Sequence, residues 1–306
     1  MDGFTTQELM AILAMQGFAG VSFFSVLLLM ALGLAIIYGQ MRVINMAHGE
    51  FMVIGAYATY LCSVTLGQLP GMTDYYLFLA LPVAFASAFV VGYLVEWVLI
   101  RHLYHRPLDT LLATWGLALI MQQGFRSAFG AREVSVIVPG WLRGSYQPTM
   151  MIDIPLNGIA ILVLTLFVTL GVWWLLFRSR WGLRVRCTTA NREMSGAIGI
   201  NTKRVDRMTF ALGCGIAGIA GAAFTTISST GPTSGSLYIV DTFLVVVFGG
   251  AGSLLGTIAS AFSIAQAQSV MEFFMGGSMA KVLTLLTVIA ILLIRPEGLV
   301  ASKVRR

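Results

Sequence analysis

Long uninterrupted runs of apolar residues constrain this chain more than any other feature. They cover residues 18–38, 75–100, 111–129, 154–177, 210–229 and 282–294. A helix needs roughly 20 mostly apolar residues to cross a hydrocarbon core about 30 Å thick. Only 10% of the 306 residues are charged, whereas a soluble domain has about 25%. Apolar and polar residues do not alternate with a period of two, which disfavours a membrane barrel. The sequence predicts an all-α, polytopic membrane helical bundle.

Two further apolar segments are interrupted. Residues 41–66 contain several polar side chains, and residues 237–277 are too long for one span and contain a glycine-rich stretch at 249–253. Breaks at membrane depth free backbone groups, and these are tolerated only where protein or a water-filled cavity satisfies them. We therefore expect broken or re-entrant helices in about 8–10 membrane segments, or nine if 237–277 crosses twice. Residues 1–306 are expected to form a single transmembrane domain.

The placement of the basic residues predicts the orientation. Of the 19 Lys and Arg, eight lie within residues 178–207 and four within 295–306, while residues 1–8 are acidic. Positive residues stay on the cytoplasmic side, so the 178–207 loop and the C-terminus are expected there. The start lacks the positive charge of a signal peptide, so we expect the first span to be retained. This predicts a multi-pass protein of the bacterial cytoplasmic (inner) membrane, surrounded by lipid and without a nucleic-acid partner.

Polar side chains inside apolar segments are the candidate pathway residues. Such side chains cost several kcal/mol unless they face a cavity or each other. Two interpretations stay open: they line a solute path, or they hold the fold together, with Asn45 capping a half-helix and His48 bonded to a neighbouring backbone. On a helix these two residues, three apart, would share a face. The full candidate set is Gln40, Asn45, His48, Glu50, Gln122, Gln123 and Asp241.

The basic loop contains a candidate docking helix. Thr189 or Asn191 is suited to cap a short helix, and Gly199 stands where such a helix would end. The helix would suit a groove on another protein. The alternative is a solvated loop that is basic only because of the orientation rule. The candidate contact residues are Arg186, Asn191, Arg192, Glu193, Gly196 and Gly199.

Motifs for catalysis and for nucleotide binding are not found in the sequence. Residues 252–257 lack the Lys of a phosphate loop, and no HExxH or Gly-x-Ser-x-Gly motif occurs. The three cysteines lack metal-type spacing, and one His with one Glu is not a ligand set, so no metal site is predicted. We expect no enzyme activity and no cofactor in this chain. Energy for transport would come from a partner or from an ion gradient.

Two stretches resemble a known family. Residues 33–50, which include the run NMAHGE at 45–50, and residues 246–256 resemble the permease family that imports branched-chain amino acids. Within this family, residues 111–123, 182–192 and 236–250 are similar to the urea-importing permeases. The resemblance implies the permease subunit of an ATP-binding cassette importer, with urea as the solute; the alternative is a branched-chain or other amino acid.

The resemblance also implies partners. These are a second related permease, two cytoplasmic ATPases that use ATP and magnesium, and a periplasmic substrate-binding protein. The basic loop would contain the coupling helix that sits in an ATPase. Glu193 and Gly199 have the spacing of the Glu-Ala-Ala loop of other importer permeases, although Met194 and Ser195 replace the alanines.

The chemistry of the solute separates the alternatives only in part. Urea requires a narrow, acceptor-rich site with little fixed charge, which amide side chains would supply. A branched-chain amino acid requires a partner for its carboxylate and an apolar pocket. An ion-coupled secondary transporter would need no ATPase, and an intramembrane enzyme would need a nucleophile–base or metal set.

Overall fold

The chain folds almost entirely into helices. The computed structural model describes residues 6–69, 71–104, 106–149, 152–250, 252–295 and 298–300. The helices are α1 (Thr6–Met41), α2 (His48–Thr65), α3 (Tyr76–Val98), α4 (Pro107–Phe129), α5 (Leu156–Arg178), α6 (Arg180–Ala190), α7 (Arg192–Ala197), α8 (Thr202–Phe224), α9 (Ser234–Gly249), α10 (Leu254–Met275) and α11 (Gly277–Ile294). Two short strands, β1 (Ser145–Thr149) and β2 (Ile152–Pro155), pair antiparallel in the segment between α4 and α5. The acidic start and the basic residues after 300 lie mostly outside the described residues.

Six of the helices are long and apolar enough to cross a membrane: α1, α3, α5, α8, α10 and α11. Helices α2, α4 and α9 stand between them in the chain, and they are shorter or more polar. Together the two groups give nine helices in the described part of the chain, alongside the short α6 and α7. The predicted polytopic helical bundle is therefore confirmed. The hairpin is the part of the fold that the all-α prediction missed.

Helices α1, α2 and α8 form the centre of the bundle. Most of their side chains are buried, whereas α5 and α11 expose most of theirs. The outward side chains of these outer helices are large and apolar, for example Phe167, Trp174 and Leu293. An apolar exterior around a tightly packed interior is the arrangement that lipid as a solvent requires.

Glycines permit close backbone contact in this centre. A Cβ on Gly33 of α1 would clash with the carbonyl oxygen of Gly213 of α8, and a Cβ on Gly213 would clash with that of Gly33. Gly49 of α2 and Gly235 of α9 show the same reciprocal relationship. Small residues at helix crossings let backbones approach, which is how membrane helices gain packing without a hydrophobic driving force.

Both predicted breaks are present. Helix α1 ends at Met41, Arg42 has φ 52, and α2 begins only at His48. A positive φ is uncommon for a residue with a Cβ, because the side chain crowds the backbone. The backbone therefore leaves its helical path at Arg42. The second break separates α9 from α10, where Gly250 has φ 92 and the Ser253 hydroxyl accepts a 3.1 Å hydrogen bond that caps α10.

The two ends of the bundle differ in character. At the hairpin end, which carries β1 and β2, the Tyr76 hydroxyl at the start of α3 donates to the carbonyl oxygen of Ile137 over 2.6 Å. At the other end of α3, Glu96 pairs with Arg207 over 2.9 Å. This second end also carries α6, α7 and most of the Arg and Lys side chains, and we call it the basic end.

Candidate functional site

The break between α1 and α2 is held by two polar side chains. The Asn45 carboxamide oxygen accepts a 3.1 Å hydrogen bond from the Ala47 N–H, which turns the chain into α2. His48 is fully buried, and its Nε2 lies 3.1 Å from the carbonyl oxygen of Met30. Because a carbonyl only accepts, Nε2 carries the proton in this contact. Both residues therefore hold the fold. Asn45 precedes the helix, so the prediction that it shares a helical face with His48 was wrong.

A buried carboxylate at the end of α1 was missed by the sequence analysis. Asp206, in the first turns of α8, has no exposed surface. One carboxylate oxygen accepts a 3.0 Å hydrogen bond from the Gln40 amide, and the other pairs with the Arg192 guanidinium. In the sequence this residue lies among Lys203, Arg204 and Arg207. Its position just ahead of the apolar run 210–229 is the sequence feature that could have indicated a buried carboxylate.

Glu50 lies in a seam between α2 and α4. Its buried carboxylate accepts a 2.8 Å hydrogen bond from the Gln122 amide, and its second oxygen has no hydrogen-bond partner in the described part of the chain. No Lys, Arg or His among the described residues forms an ion pair with it. Two turns further on, Tyr57 stacks against Phe129 with ring centroids 4.2 Å apart. The seam thus holds a carboxylate without a counter-ion, next to an aromatic stack.

The second half of α4 exposes polar groups, whereas its first half exposes apolar side chains such as Leu112 and Trp115. Of the two candidate glutamines, Gln122 turns to Glu50 and Gln123 is exposed. Arg126 and Ser127 are exposed on the same helix. Exposed amide and guanidinium groups on a helix of membrane-spanning length are costly against lipid. This face therefore requires a covering other than lipid.

Asp241 is held by an ion pair. Its carboxylate lies 2.8 Å from the Lys281 ammonium, which also donates to the carbonyl oxygen of Leu237 over 2.7 Å. The pair joins α9 to α11. The structure thus gives Asp241 a structural partner and does not bring it into contact with the polar residues at the α1–α2 break.

The basic loop contains the predicted short helix. The Asn191 carboxamide oxygen caps α7 by accepting from the Met194 N–H over 2.9 Å, and Gly199 follows the helix with φ 86. Met194 and Ile198, one turn apart, are 61% and 66% exposed. Apolar side chains this exposed on a short helix form a surface suited to another protein.

Four other predicted contact residues divide into two groups. Glu193 and Gly196 are exposed on α7, and a Cβ on Gly196 would meet nothing within 4 Å. Arg186 instead lies over the Phe177 ring at 5.6 Å, at the junction of α5 and α6. Arg192 turns back to pair with Asp206. Both arginines are nevertheless exposed, so they stay candidate contact residues that also contact groups of their own chain.

An open cleft of about 540 Å³ lies at the hairpin end, between the loop after α4 and the start of α5. Val136, Arg143 and Asn157 contribute to its lining. None of the predicted pathway residues lines it. Within the described residues, no group of three His, Cys, Asp or Glu side chains is placed to hold a metal ion.

Long apolar helices around a centre with two broken segments are typical of the membrane subunit of a transporter. The chain belongs to the family described as branched-chain amino acid transport system / permease component, whose model matches residues 17–292. It is thus a permease component with six helices in its described part that are long and apolar enough to cross a membrane.

Curated relatives refine this result. The permease protein LivH of the high-affinity branched-chain amino acid transport system of Escherichia coli K12 is 26% identical, covering 93% of this chain and 94% of LivH. BraD of Pseudomonas aeruginosa, from a system of the same description, is 27% identical over 89% of this chain and 90% of BraD. LsrC of Salmonella choleraesuis, from an autoinducer 2 import system, is 26% identical over 70% of this chain and 60% of LsrC. No solved structure matches the chain significantly. These relatives do not support the finer resemblance to urea permeases.

Proposed function

We propose that this chain is the membrane-spanning translocation subunit of an ATP-driven importer of branched-chain amino acids. The observation that carries the proposal is the similarity to LivH and BraD over about nine-tenths of each chain. A match of this extent includes the breaks, the basic loop and the hairpin region together. It favours the amino acid alternative over urea.

Glu50 supports an amino acid over urea on chemical grounds. A buried carboxylate without a counter-ion favours a cationic group, since desolvated charge is costly unless it is paired. Free amino acids carry an ammonium group, whereas urea is neutral. In this proposal Glu50, held by Gln122, provides the anionic contact in the pathway.

The partners follow from the surfaces already described. The exposed Met194 and Ile198 on α7 would enter an ATPase, with Glu193 at the rim of that contact. The polar face of α4 would be covered by a second permease subunit. A substrate-binding protein would dock at the hairpin end. ATP and magnesium would be bound by the ATPases, because this chain has no phosphate loop.

Uptake by the complete complex tests this proposal. The chain, its second permease, the ATPases and the binding protein are reconstituted in liposomes, and uptake of labelled leucine and labelled urea is measured with and without ATP. A matched complex carries an inactivating substitution in the phosphate loop of the ATPases. We expect leucine uptake that requires ATP and is lost in the matched complex. Uptake of urea alone would restore the urea interpretation, and uptake driven by an ion gradient without ATP would indicate a secondary transporter.

A further inference from the structure

Three side chains form a continuous polar link from α7 to the α1–α2 break. Arg192, the first residue of α7, pairs with one carboxylate oxygen of Asp206. The Gln40 amide donates to the other oxygen over 3.0 Å. Gln40 is in the last turn of α1, two residues before Arg42, where the backbone leaves the helix with φ 52. The link therefore ends at the segment that leads into α2.

Arg192 provides a direct side-chain connection from α7 to the bundle. Among the described hydrogen bonds and ion pairs made by α7 side chains and by its cap, Asn191 and Ser195 bond only within the segment itself. The Arg192 guanidinium alone reaches out, to Asp206. It also lies over the Tyr104 ring at 5.4 Å. A displacement of α7 therefore reaches Asp206 through this side chain, in addition to the backbone on either side of α7 and the packing of the buried Ser195.

A second set of polar contacts holds Tyr104, the ring on which the Arg192 guanidinium lies. The Tyr104 hydroxyl donates to Glu96 over 2.5 Å, and the other oxygen of Glu96 accepts from Arg207 over 2.9 Å. Burial, together with the Glu96 carboxylate, raises the pKa of Tyr104 far above its usual range, so the hydroxyl keeps its proton and remains a donor. The ring below Arg192 is thereby held in place.

We infer that Arg192, Asp206 and Gln40 act as positioning residues that relay movement of α7 to the α1–α2 break. This inference rests on the proposed function, in which α7 contacts the ATPase. Asp206 is wholly buried, and both of its oxygens are occupied, one from each direction. Withdrawing Arg192 leaves an uncompensated buried charge, which is strongly unfavourable. The Asp206 side chain must then follow the arginine or rearrange. The Gln40 side chain moves with Asp206, because its amide donates to the same carboxylate.

The consequence for the pathway follows from the sequence order. Gln40 is separated from the buried seam of Glu50 and Gln122 by only the non-helical segment 42–47. The segment is short, and His48 at the start of α2 also contacts the Met30 carbonyl oxygen of α1 over 3.1 Å, so a shift of α1 is passed to the start of α2. The relay thus connects the ATPase contact to the carboxylate proposed to meet the solute.

Gln40→Met is the decisive variant, because Gln40 touches neither α7 nor the surface proposed for the ATPase. The complete complex is prepared with Gln40→Met, Asp206→Asn, Arg192→Gln and the conservative Arg192→Lys. Ser260→Ala is the matched control, since it also removes one buried hydrogen bond, 2.8 Å to the Val245 carbonyl oxygen. ATPase retention, basal hydrolysis, and hydrolysis stimulated by the loaded binding protein are measured for each variant.

We expect Gln40→Met and Asp206→Asn to retain the ATPases and basal hydrolysis within twofold, while stimulation falls at least fivefold. Arg192→Lys should recover part of the stimulation that Arg192→Gln loses. Normal stimulation in assembled Gln40→Met complexes would reduce the link to a structural attachment and overturn the inference. If Asp206→Asn does not assemble, Gln40→Met still decides the outcome. Failure of the unsubstituted complex to bind ATPases would instead contradict the proposed function.

Discussion

Glu50 and Gln122 connect the first turn of α2 to the middle of α4 through a single 2.8 Å hydrogen bond. The remaining carboxylate oxygen of Glu50 is buried without a partner in the described residues. A structural carboxylate would ordinarily have both oxygens satisfied, because an unmade buried hydrogen bond costs about 1–3 kcal/mol. In the proposed function, this second oxygen would meet the cationic group of the solute.

Glu50→Gln should abolish most transport while preserving the fold. The amide has the same shape and can still accept from Gln122, but it carries no charge to pair with an ammonium group. We expect leucine uptake to fall at least tenfold, which corresponds to about 1.4 kcal/mol or more. Ser263→Ala, at an exposed hydroxyl that bonds its own helix, is the control. Full transport by assembled Glu50→Gln would remove Glu50 from the pathway.

Gly55→Ala should destabilise the bundle. A Cβ at this position would meet backbone atoms of Gly218, which cannot rotate away. Overpacking of this kind costs roughly 1–3 kcal/mol, so the midpoint of thermal unfolding in detergent should fall. Gly171→Ala is the matched control, since no atom lies within 4 Å of its Cβ and alanine favours the helix by about 1 kcal/mol. Equal midpoints for both variants would show that the crossing is looser than described.

Lys281→Met should expose the structural role of Asp241. The variant leaves the buried Asp241 carboxylate unpaired. Because Lys281 is itself partly exposed, we expect the free energy of unfolding to fall by roughly 1–3 kcal/mol, which is less than for a fully buried pair. Adding Asp241→Asn should recover most of the stability, which a thermal double-mutant cycle measures. Leucine uptake by the double variant is the second measurement. Loss of uptake with restored stability would return Asp241 to the pathway.

Gly196→Trp should separate membrane insertion from ATPase binding. Gly196 lies on α7 between the exposed Met194 and Ile198, so an indole there would overpack a docked surface. Copurification of the ATPases should decrease, and stimulated hydrolysis should disappear, while basal hydrolysis by separated ATPases persists. Lys203→Trp places the same bulk on α8 and serves as the control. Tight, stimulated complexes with Gly196→Trp would favour the solvated-loop interpretation of this segment.

The orientation can be tested by cysteine labelling. In a background in which Cys62, Cys187 and Cys214 are replaced, single cysteines are introduced at the exposed Tyr146 of β1 and at Lys203 near the basic end. An impermeant maleimide added to intact cells should modify position 146 alone, and position 203 should react only after permeabilisation. The reverse pattern would invert the predicted topology.

The sequence was sufficient for the features that depend on solvent and periodicity. Apolar runs predicted the long helices, and the interruptions within 41–66 and at 249–253 predicted both breaks, because glycine and polar residues at membrane depth need special environments. A cap at Thr189 or Asn191 and an end at Gly199 were also predicted, and the structure has Asn191 as the cap, since local hydrogen bonding and backbone conformation determine such features.

Features that depend on tertiary packing were not predictable in this way. Asp206 is buried by its neighbours in space, whereas its neighbours in sequence are basic. Its pairing with Arg192 joins α7 to α8 and leaves no pattern in the sequence. Periodicity did not show which of Gln122 and Gln123 faces the interior. The two residues are adjacent, and the one that is covered depends on which element packs against α4. The cross-chain pairs that decide these cases involve residues far apart in sequence.

The reciprocal contact between Gly49 and Gly235 has a mechanical consequence. Helix α2 is entered from the basic end through Gln40 and the segment 42–47, whereas α9 follows a loop whose Thr230 pairs with Val134 at the hairpin end. The starts of these two helices touch backbone to backbone, with no side chain between them to deform. A shift of one helix start therefore displaces the other, because backbone atoms in contact cannot rotate out of the way. The helix entered from the basic end and the helix that follows the hairpin-end loop thus meet directly inside the bundle.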